Sequence, residues 1–357
     1  MKHQSYDPER PDIVSYVRVT RPEEIPPEES RTIDVVVLDM NHSWPNVGHD
    51  SLVHIVRELA GEMLDFLAQS EVKIRVLSFD VRQSLMVPDK ADRFKLFIGT
   101  GGPGHLDPRI NDGTHQEGQG IVEDPSWEPR LFALFDRIAD DSGSSLVAVC
   151  HTFGVICRWA GVADAVARGP EKGGKSTGVP SNWLTDQAVG HSWFQKFSAQ
   201  LPDGRSFKVI DNRLFDLIPR SSRFPDGMTA ISFEKDGSPG DALTAIEIAR
   251  DAEGFMPRFF AVNHHPEIID REHLLRVLDS KLRRVEVTSE WYDERANTIA
   301  GLMVGEAERQ SRLTSRYMLI DPIRFHLTRL VRQRAEDLGV GHAPHEQQLL
   351  GLAAVTS

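Results

Sequence analysis

Cys150 has the residue type and the setting of a catalytic nucleophile. It directly follows the apolar run Leu146–Val149, which has the length of a buried strand, and precedes a stretch with helical spacing. A thiol at the start of a helix lies near backbone N–H groups, which favour the reactive thiolate. A sharp strand-to-helix turn would expose it and requires small neighbours, here Ala148 and Thr152. The alternative is a buried structural cysteine, a description that fits Cys157, further along the same predicted helix, better.

The segment Asn263–Glu267, with the sequence NHHPE, could supply a base and the carboxylate that orients it. Pro266 forces the preceding residue, His265, into an extended conformation, in which successive side chains point to opposite sides. His265 and Glu267 can therefore share a face while His264 points away. A carboxylate beside an imidazole fixes its tautomer and stabilises its charge, as in a catalytic triad. Alternatively, these side chains could bind a metal ion. No other His or Cys nearby has the spacing of a metal ligand, so no metal site is predicted.

The glycine-rich run Gly99–Gly104, with the sequence GTGGPG, directly follows a short apolar run. Glycine adopts positive φ angles and lets the backbone approach a ligand closely. Pro103 has no N–H, so the free donors in the second half of the run belong to Gly102 and Gly104. The pattern fits either a tight turn or a loop whose backbone contacts a ligand, and both interpretations stay open at this point.

Alternating strands and helices must position these segments. The alternation predicts βαβ units and an α/β fold with a doubly wound, mostly parallel sheet. In such a sheet, active-site residues collect at the carboxyl edge of the strands, where all three segments would lie. Short β-like segments between about 170 and 239 predict antiparallel additions to the sheet. The predicted strands are 33–39, 72–79, 96–98, 146–149, 207–210, 229–233, 244–249 and 259–262, and the predicted helices are 51–68, 129–138 and a segment after Cys150.

Composition divides the chain into three regions and excludes several classes of protein. Residues 1–31 are rich in Pro and Glu and predict an extended or mobile arm, residues 32–285 hold the α/β pattern, and residues 286–357 predict a helical C-terminal extension. The 53 acidic residues outnumber the 41 Lys and Arg residues, which argues against nucleic-acid binding. Two cysteines exclude a disulfide framework and favour the cytoplasm. No run approaches the ~20 apolar residues of a membrane span.

The three motifs together resemble the class I glutamine amidotransferase superfamily. They are GTGGPG at 99–104, AVCHTFG at 148–154 and AVNHHPE at 261–267, and the resemblance covers about 33–285. It implies a flavodoxin-like α/β fold for this region. It also implies chemistry without a cofactor or a metal ion.

The resemblance also assigns a role to each candidate residue. Cys150 would be the nucleophile, His265 the base and Glu267 the residue that orients the base. The backbone N–H groups of Gly102 and His151 would form the oxyanion hole. These roles describe a cysteine amidohydrolase that cleaves a carboxamide through a thioester.

The substrate-binding positions of that family are substituted here. The family's nucleophile motif is Gly-x-Cys-x-Gly-x-Gln, and Gly154 stands where the Gln that contacts glutamine is expected. The segment Asn212–Leu214 stands where the family has Tyr-His-Ser. A site that lacks the partners of a polar substrate loses affinity for it, so free glutamine is expected to be a poor substrate. Gly104 and Arg213 are the candidate substrate contacts, with Arg213 as an anion partner.

The prediction is therefore an amidotransferase-like enzyme that releases ammonia from glutamine or a related small-molecule amide. The remaining residues contain no synthetase domain, so the ammonia would serve a separate synthetase or acceptor subunit, and residues 286–357 are one candidate docking surface. Two alternatives stay open. One is an O-acyltransferase that resembles the homoserine acyltransferases, and the other is a non-catalytic subunit that retains the triad.

One further motif, Gly169–Ser176, matches the P-loop pattern G-x-x-x-x-G-K-S. A P-loop must follow a strand and open a helix. This segment follows residues 162–168, which are predicted to be helical, and precedes Thr-Gly-Val-Pro, which cannot begin a long helix. No nucleotide site is predicted, and Lys175 is assigned no role.

Overall fold

The computed structural model describes residues 13–89, 92–169, 174–235, 237–238, 240–269, 271–302 and 304–340. Within these residues the strands are β1 (Val14–Val19), β2 (Thr32–Asp39), β3 (Lys73–Asp80), β4 (Leu96–Gly99), β5 (Ser145–Val149), β6 (Ala163–Ala167), β7 (Ser176–Gly178), β8 (Ser181–Leu184), β9 (Ser206–Lys208), β10 (Asp211–Arg213), β11 (Phe215–Pro219), β12 (Thr229–Phe233), β13 (Leu243–Arg250) and β14 (Pro257–Val262). The helices are α1 (Val47–Gly61), α2 (Leu64–Ser70), α3 (Trp127–Asp140), α4 (His151–Trp159), α5 (Asp186–Val189), α6 (Phe194–Ser198), α7 (Arg271–Arg283), α8 (Ser289–Leu302), α9 (Gly305–Ser315) and α10 (Asp321–Leu338). None of these helices combines the length and the apolarity needed to cross a membrane.

Parallel strands form the centre of the sheet in the order β1-β3-β2-β4-β5-β14. Without the edge strand β1, this is the flavodoxin order, in which the chain adds strands first on one side of β2 and then on the other. Every residue of β2 and β5 is buried, because helices cover both faces of the sheet. The predicted doubly wound α/β fold is confirmed.

Antiparallel strands extend the sheet beyond β14. They follow in the order β13, β12, β8 and β9, while β11 pairs with both β13 and β6, so the predicted antiparallel additions are also confirmed. One local prediction is wrong. Residues 163–167 form strand β6 rather than part of a helix, because pairing with β11 outweighs the helix propensity of their alanines.

The sheet begins earlier in the chain than the sequence predicts. Val14–Val19, within the predicted arm, forms the edge strand β1, which pairs in parallel with β3 along its whole length. The strand has only six residues, and most of them are not fully buried. Its apolar pattern is therefore weak beside the Pro- and Glu-rich segment that follows. Residues 1–12 of the predicted arm lie outside the described residues.

The C-terminal helices are part of the same fold. The predicted extension is helical, but α10 packs on β2, β5 and β14, and its residues Ile323, Leu327 and Val331 are fully buried. They belong to the hydrophobic cluster that also contains Val35 and Val147 of the central strands. The predicted division at residue 286 therefore does not separate two hydrophobic cores.

Candidate active site

The three motifs meet because their strands are neighbours. Strand β5 lies between β4 and β14, and all three run in parallel, so their carboxyl ends share one edge of the sheet. Val149 is paired with Val262, and Ala148 is paired with Gly99. The structure thus brings the glycine run, Cys150 and the His-Pro-Glu segment together, as the order of the strands predicts.

Cys150 forms a sharp turn between β5 and α4. Its φ of 49° and ψ of −106° are unusual for a residue with a side chain, and such strain costs on the order of 1–3 kcal/mol. Its N–H donates to the carbonyl of Val262 at 2.8 Å. On the other side of the turn, the Thr152 hydroxyl donates to the carbonyl of Thr100 at 2.7 Å. Gly99 leaves room for Thr152, since a Cβ atom at Gly99 would lie 2.4 Å from its methyl carbon.

Cys150, His265 and Glu267 form a hydrogen-bonded chain. The Nδ1 atom of His265 lies 2.8 Å from Oε1 of Glu267, and the His265 ring is also hydrogen-bonded to the side chain of Cys150. Because Nδ1 faces Glu267, Nε2 is the ring nitrogen left for Cys150. The backbone N–H of His265 donates to the carbonyl of Ile210 at 2.8 Å, which anchors the segment to the chain before β10.

The charged groups around His265 favour its protonated form. Burial lowers the pKa of His265, but the Cys150 thiolate and the Glu267 carboxylate raise it more, so it stands well above its ordinary value. The neighbouring His264 is different, because burial lowers its pKa to about 3 and keeps the ring neutral. Burial also raises the pKa of Cys157, which keeps that thiol protonated. The surroundings therefore favour the protonated form of His265, whereas His264 and the Cys157 thiol stay neutral.

The first turn of α1 supports Glu267. A Cβ atom at Gly48 would lie 2.6 Å from Oε1 of Glu267, so only glycine allows this approach. The sequence predicts that this helix begins at Ser51. The observed N-cap is Asn46, whose side chain accepts from the N–H of His49 at 3.0 Å. The earlier start places the first turn of the helix, with Gly48, beside the Glu267 carboxylate.

A buried ion pair holds the glycine run. Arg82 donates to the carbonyls of Met40 at 2.9 Å and Pro103 at 2.6 Å, and its guanidinium lies 2.5 Å from Glu123. The side chains of Arg82 and Glu123 are both completely buried. Breaking a buried pair leaves an uncompensated charge, so this contact is costly to disrupt. Neither residue was a candidate in the sequence, because both lie far from the motifs along the chain.

The glycines of the run lie at different distances from the triad. A Cβ atom at Gly101 would be 3.1 Å from Cε1 of His265, and one at Gly102 would be 2.1 Å from the carbonyl oxygen of Met40. His151 is the first residue of α4, where a helix provides no acceptor for the N–H. The oxyanion role of Gly102 and His151 stays a prediction.

The N–H of Gly104 already donates to the Gln119 side chain at 2.9 Å, so a substrate would have to displace that group.

Arg213 lies in β10 within a network of carboxylates. Its side chain is buried, and its guanidinium lies 2.7 Å from Glu234 and 3.3 Å from Asp216. An anionic substrate would have to compete with these two carboxylates for Arg213. Its role as an anion partner stays a prediction, and its observed contacts are structural.

Lys175 is a cation near the nucleophile, although its sequence motif gave it no role. Desolvation lowers the pKa of Lys175 and the nearby Cys150 thiolate raises it, with a net lowering. Lys175 directly precedes β7, whose first residue, Ser176, is paired with Arg213 of β10. The segment follows strand β6 rather than a helix, but it leads into strand β7, where a P-loop requires a helix. Residues 170–173 of the motif lie outside the described residues.

The chain matches no family model and no curated protein sequence. Several solved structures are similar to it, including the following two. One, from Thermoplasma acidophilum, is provisionally described as a component of a GMP synthase; it shares 14% identity, with a TM-score of 0.37 over 71% of this chain and 98% of its own. The other, from Bacteroides uniformis, is provisionally described as ThuA-like; it shares 10% identity, with a TM-score of 0.31 over 70% of this chain and 89% of its own. Neither likeness bears on the activity, for which the geometry of the site is the evidence.

Proposed function

We propose that this protein is a cysteine-dependent acyl-transfer enzyme of the class I glutamine amidotransferase type. The observation that carries the proposal is the strained turn at Cys150, whose side chain is hydrogen-bonded to His265, which in turn is hydrogen-bonded to Glu267. A nucleophile, a base in contact with it and a carboxylate that orients the base form the minimal set for nucleophilic catalysis at a carbonyl carbon.

In the proposed reaction, the Cys150 thiolate attacks the carbon of a carboxamide. The carbonyl oxygen becomes an oxyanion, which the N–H groups of Gly102 and His151 would stabilise. The His265 imidazolium gives its proton to the departing nitrogen, and ammonia leaves as the C–N bond breaks and a thioester remains. His265 then takes a proton from water, which attacks the thioester and releases the carboxylic acid and the thiolate. Glu267 holds the imidazole in the required orientation throughout.

The proposed substrate is a small amide that carries a negative charge away from the amide. Lys175 is the candidate partner for that charge, because it is a cation that interacts electrostatically with Cys150, as it also does with Glu294 and Asp211. Arg213, the alternative cation, already has carboxylate partners. Ammonia from this reaction would be passed to a separate acceptor enzyme, as the resemblance to the glutamine amidotransferases implies.

Hydroxylamine trapping tests the thioester directly. The purified protein is incubated with a panel of amides, including glutamine, and hydroxylamine converts any acyl-enzyme to a measurable hydroxamate. We expect hydroxamate and ammonia with the wild type and with Cys157→Ser, and neither with Cys150→Ser. Equal activity of the Cys150→Ser variant would overturn the proposal. Consumption of an acyl-coenzyme A without ammonia release would support the O-acyltransferase instead, and no acyl-enzyme from either donor class would support the non-catalytic subunit.

A further inference from the structure

The end of helix α9 is hydrogen-bonded to the catalytic turn. Ser315, the last residue of α9, is fully buried, and its hydroxyl donates to the backbone carbonyl of Pro266. Pro266 is the residue between the base, His265, and its carboxylate partner, Glu267. A residue about 50 positions away in the chain therefore contacts the peptide group that joins the two.

This contact acts on the orientation of a single peptide plane. The carbonyl of Pro266 belongs to the peptide bond that leads into Glu267, so its direction decides where the Glu267 side chain leaves the backbone. Pro266 has no N–H and cannot anchor the plane itself. The N–H of His265 is held by Ile210 at 2.8 Å, and the N–H of Ile268 donates weakly to the carbonyl of His265 at 3.3 Å. Between these two bonds, the backbone carbonyl of Pro266 is held by Ser315.

The neighbouring residue, Thr314, fixes the other segment of the site. Its hydroxyl donates to the carbonyl of Lys208 at 2.6 Å, two residues before Ile210. Consecutive side chains of α9 thus hold both the catalytic turn and the chain to which that turn is anchored. This pair of contacts joins the end of α9 to both segments.

The helix changes its geometry directly after these two residues. Arg316–Ile320 forms a π-helical segment between α9 and α10, and π-helical turns occur frequently at functional sites. Met318 and Leu319 of this segment are fully buried in the same hydrophobic cluster as the central strands. The contact at Ser315 is therefore attached to a helix that the core holds rigidly.

We propose that Ser315 is a positioning residue for the catalytic base, and that it acts by holding the Pro266 carbonyl so that Glu267 meets Nδ1 of His265. This role depends on the proposed function, because it acts through the proposed base. Ser315 itself touches no reacting atom. Its loss should let the Glu267 carboxylate move away from the imidazole and weaken the imidazolium that accompanies the thiolate.

Alkylation of Cys150 by iodoacetamide across a range of pH tests the proposal in the full-length protein. We expect Ser315→Ala to slow labelling at pH 7 on the order of tenfold and to move the pH midpoint of labelling upward, since a small misplacement of a catalytic group is costly. Ser311→Ala is the matched control. Ser311 lies one turn earlier in α9, is also buried, and its hydroxyl has no hydrogen-bond partner among the described residues. The control should keep the wild-type profile.

Further variants distinguish a failure of the positioning role of Ser315 from a failure of the proposed function. Ser315→Gly removes the same hydroxyl together with Cβ, and it must give the same shift if Ser315→Ala does not fold. His265→Asn should shift the profile at least as far as either variant. A wild-type profile in the folded Ser315 variants, beside a shifted profile in His265→Asn, would overturn the positioning role alone. Equal labelling of Cys150 and Cys157 in the wild type would remove the proposed function and this role with it.

Discussion

The side chain of Leu106 fills the space that any side chain at position 154 would need. A Cβ atom at Gly154 would lie 2.4 Å from Cδ1 of Leu106. Gly154 is one helical turn after Cys150, and Leu106 follows the glycine run, so the two motifs interlock at this point. In the amidotransferases that the sequence resembles, this position of the nucleophile helix carries a Gln. Here the helix instead packs on an apolar side chain, which fits a substrate other than free glutamine.

Restoring the family's residue should therefore fail on steric grounds. We expect Gly154→Gln to lower the free energy of unfolding by about 1–3 kcal/mol or more, as overpacking of a core does. Leu106→Ala in the same chain should recover part of that loss, so the two effects will not be additive. Urea denaturation of the single and double variants measures this coupling. Gly301→Ala, at a helical position with no atom within 4 Å of the new Cβ, is the control and should not destabilise.

Gly48 should matter for reactivity more than for stability. Gly48→Ala places a methyl group 2.6 Å from Oε1 of Glu267, while alanine favours the helix by up to ~1 kcal/mol relative to glycine. We expect slower labelling of Cys150 with little change in the thermal midpoint. The effect should depend on Glu267, so adding Gly48→Ala to Glu267→Gln should slow the labelling of Cys150 little further. A full additional decrease in the labelling rate of the double variant would show that Gly48 acts independently of Glu267.

The neutral His264 should make the fold sensitive to mild acid. Its pKa of about 3 in the folded protein lies below the ordinary value of 6.5, so the unfolded chain binds the proton more readily. Stability should therefore fall as the pH drops below about 6.5, by up to ~1.4 kcal/mol for each pH unit from this group. His264→Leu should reduce that slope in urea denaturation between pH 6 and 4. Between pH 7 and 8, where the ring is neutral in both states, the slopes of the two proteins should agree.

The C-terminal helix should be required for folding. Leu327 of α10 is fully buried against the central sheet, and Leu327→Ala should cost about 2–5 kcal/mol. Gln333→Ala, at an exposed position of the same helix, should change stability by less than about 0.5 kcal/mol. Deleting residues 305–357 should leave a chain without a cooperative thermal transition in circular dichroism. A truncated chain that melts cooperatively like the full protein would show that residues 305–357 are not required for the fold.

Much of the fold could be predicted from the sequence because buried strands carry a strong local pattern. β2, β5 and β14 consist mostly of apolar residues, since both faces of each strand are covered. Their parallel order then predicts that Cys150 and His265 meet at one edge. The weak strands were not found. β1 is a partly buried edge strand and β6 alternates between buried and exposed residues, so their pairing partners decide their structure.

Residue type and spacing were enough to predict which segments meet at the candidate site, because they relate Cys150, His265 and Glu267 to the ends of strands. The surroundings of these residues depend on packing. Gly48 at Glu267 and Ser315 at Pro266 are contacts between residues far apart in the chain. Such contacts leave no periodic pattern, since each depends on how two separate elements pack. The local pattern thus indicates where Cys150 and His265 lie, and only the packing of distant helices decides how they are held.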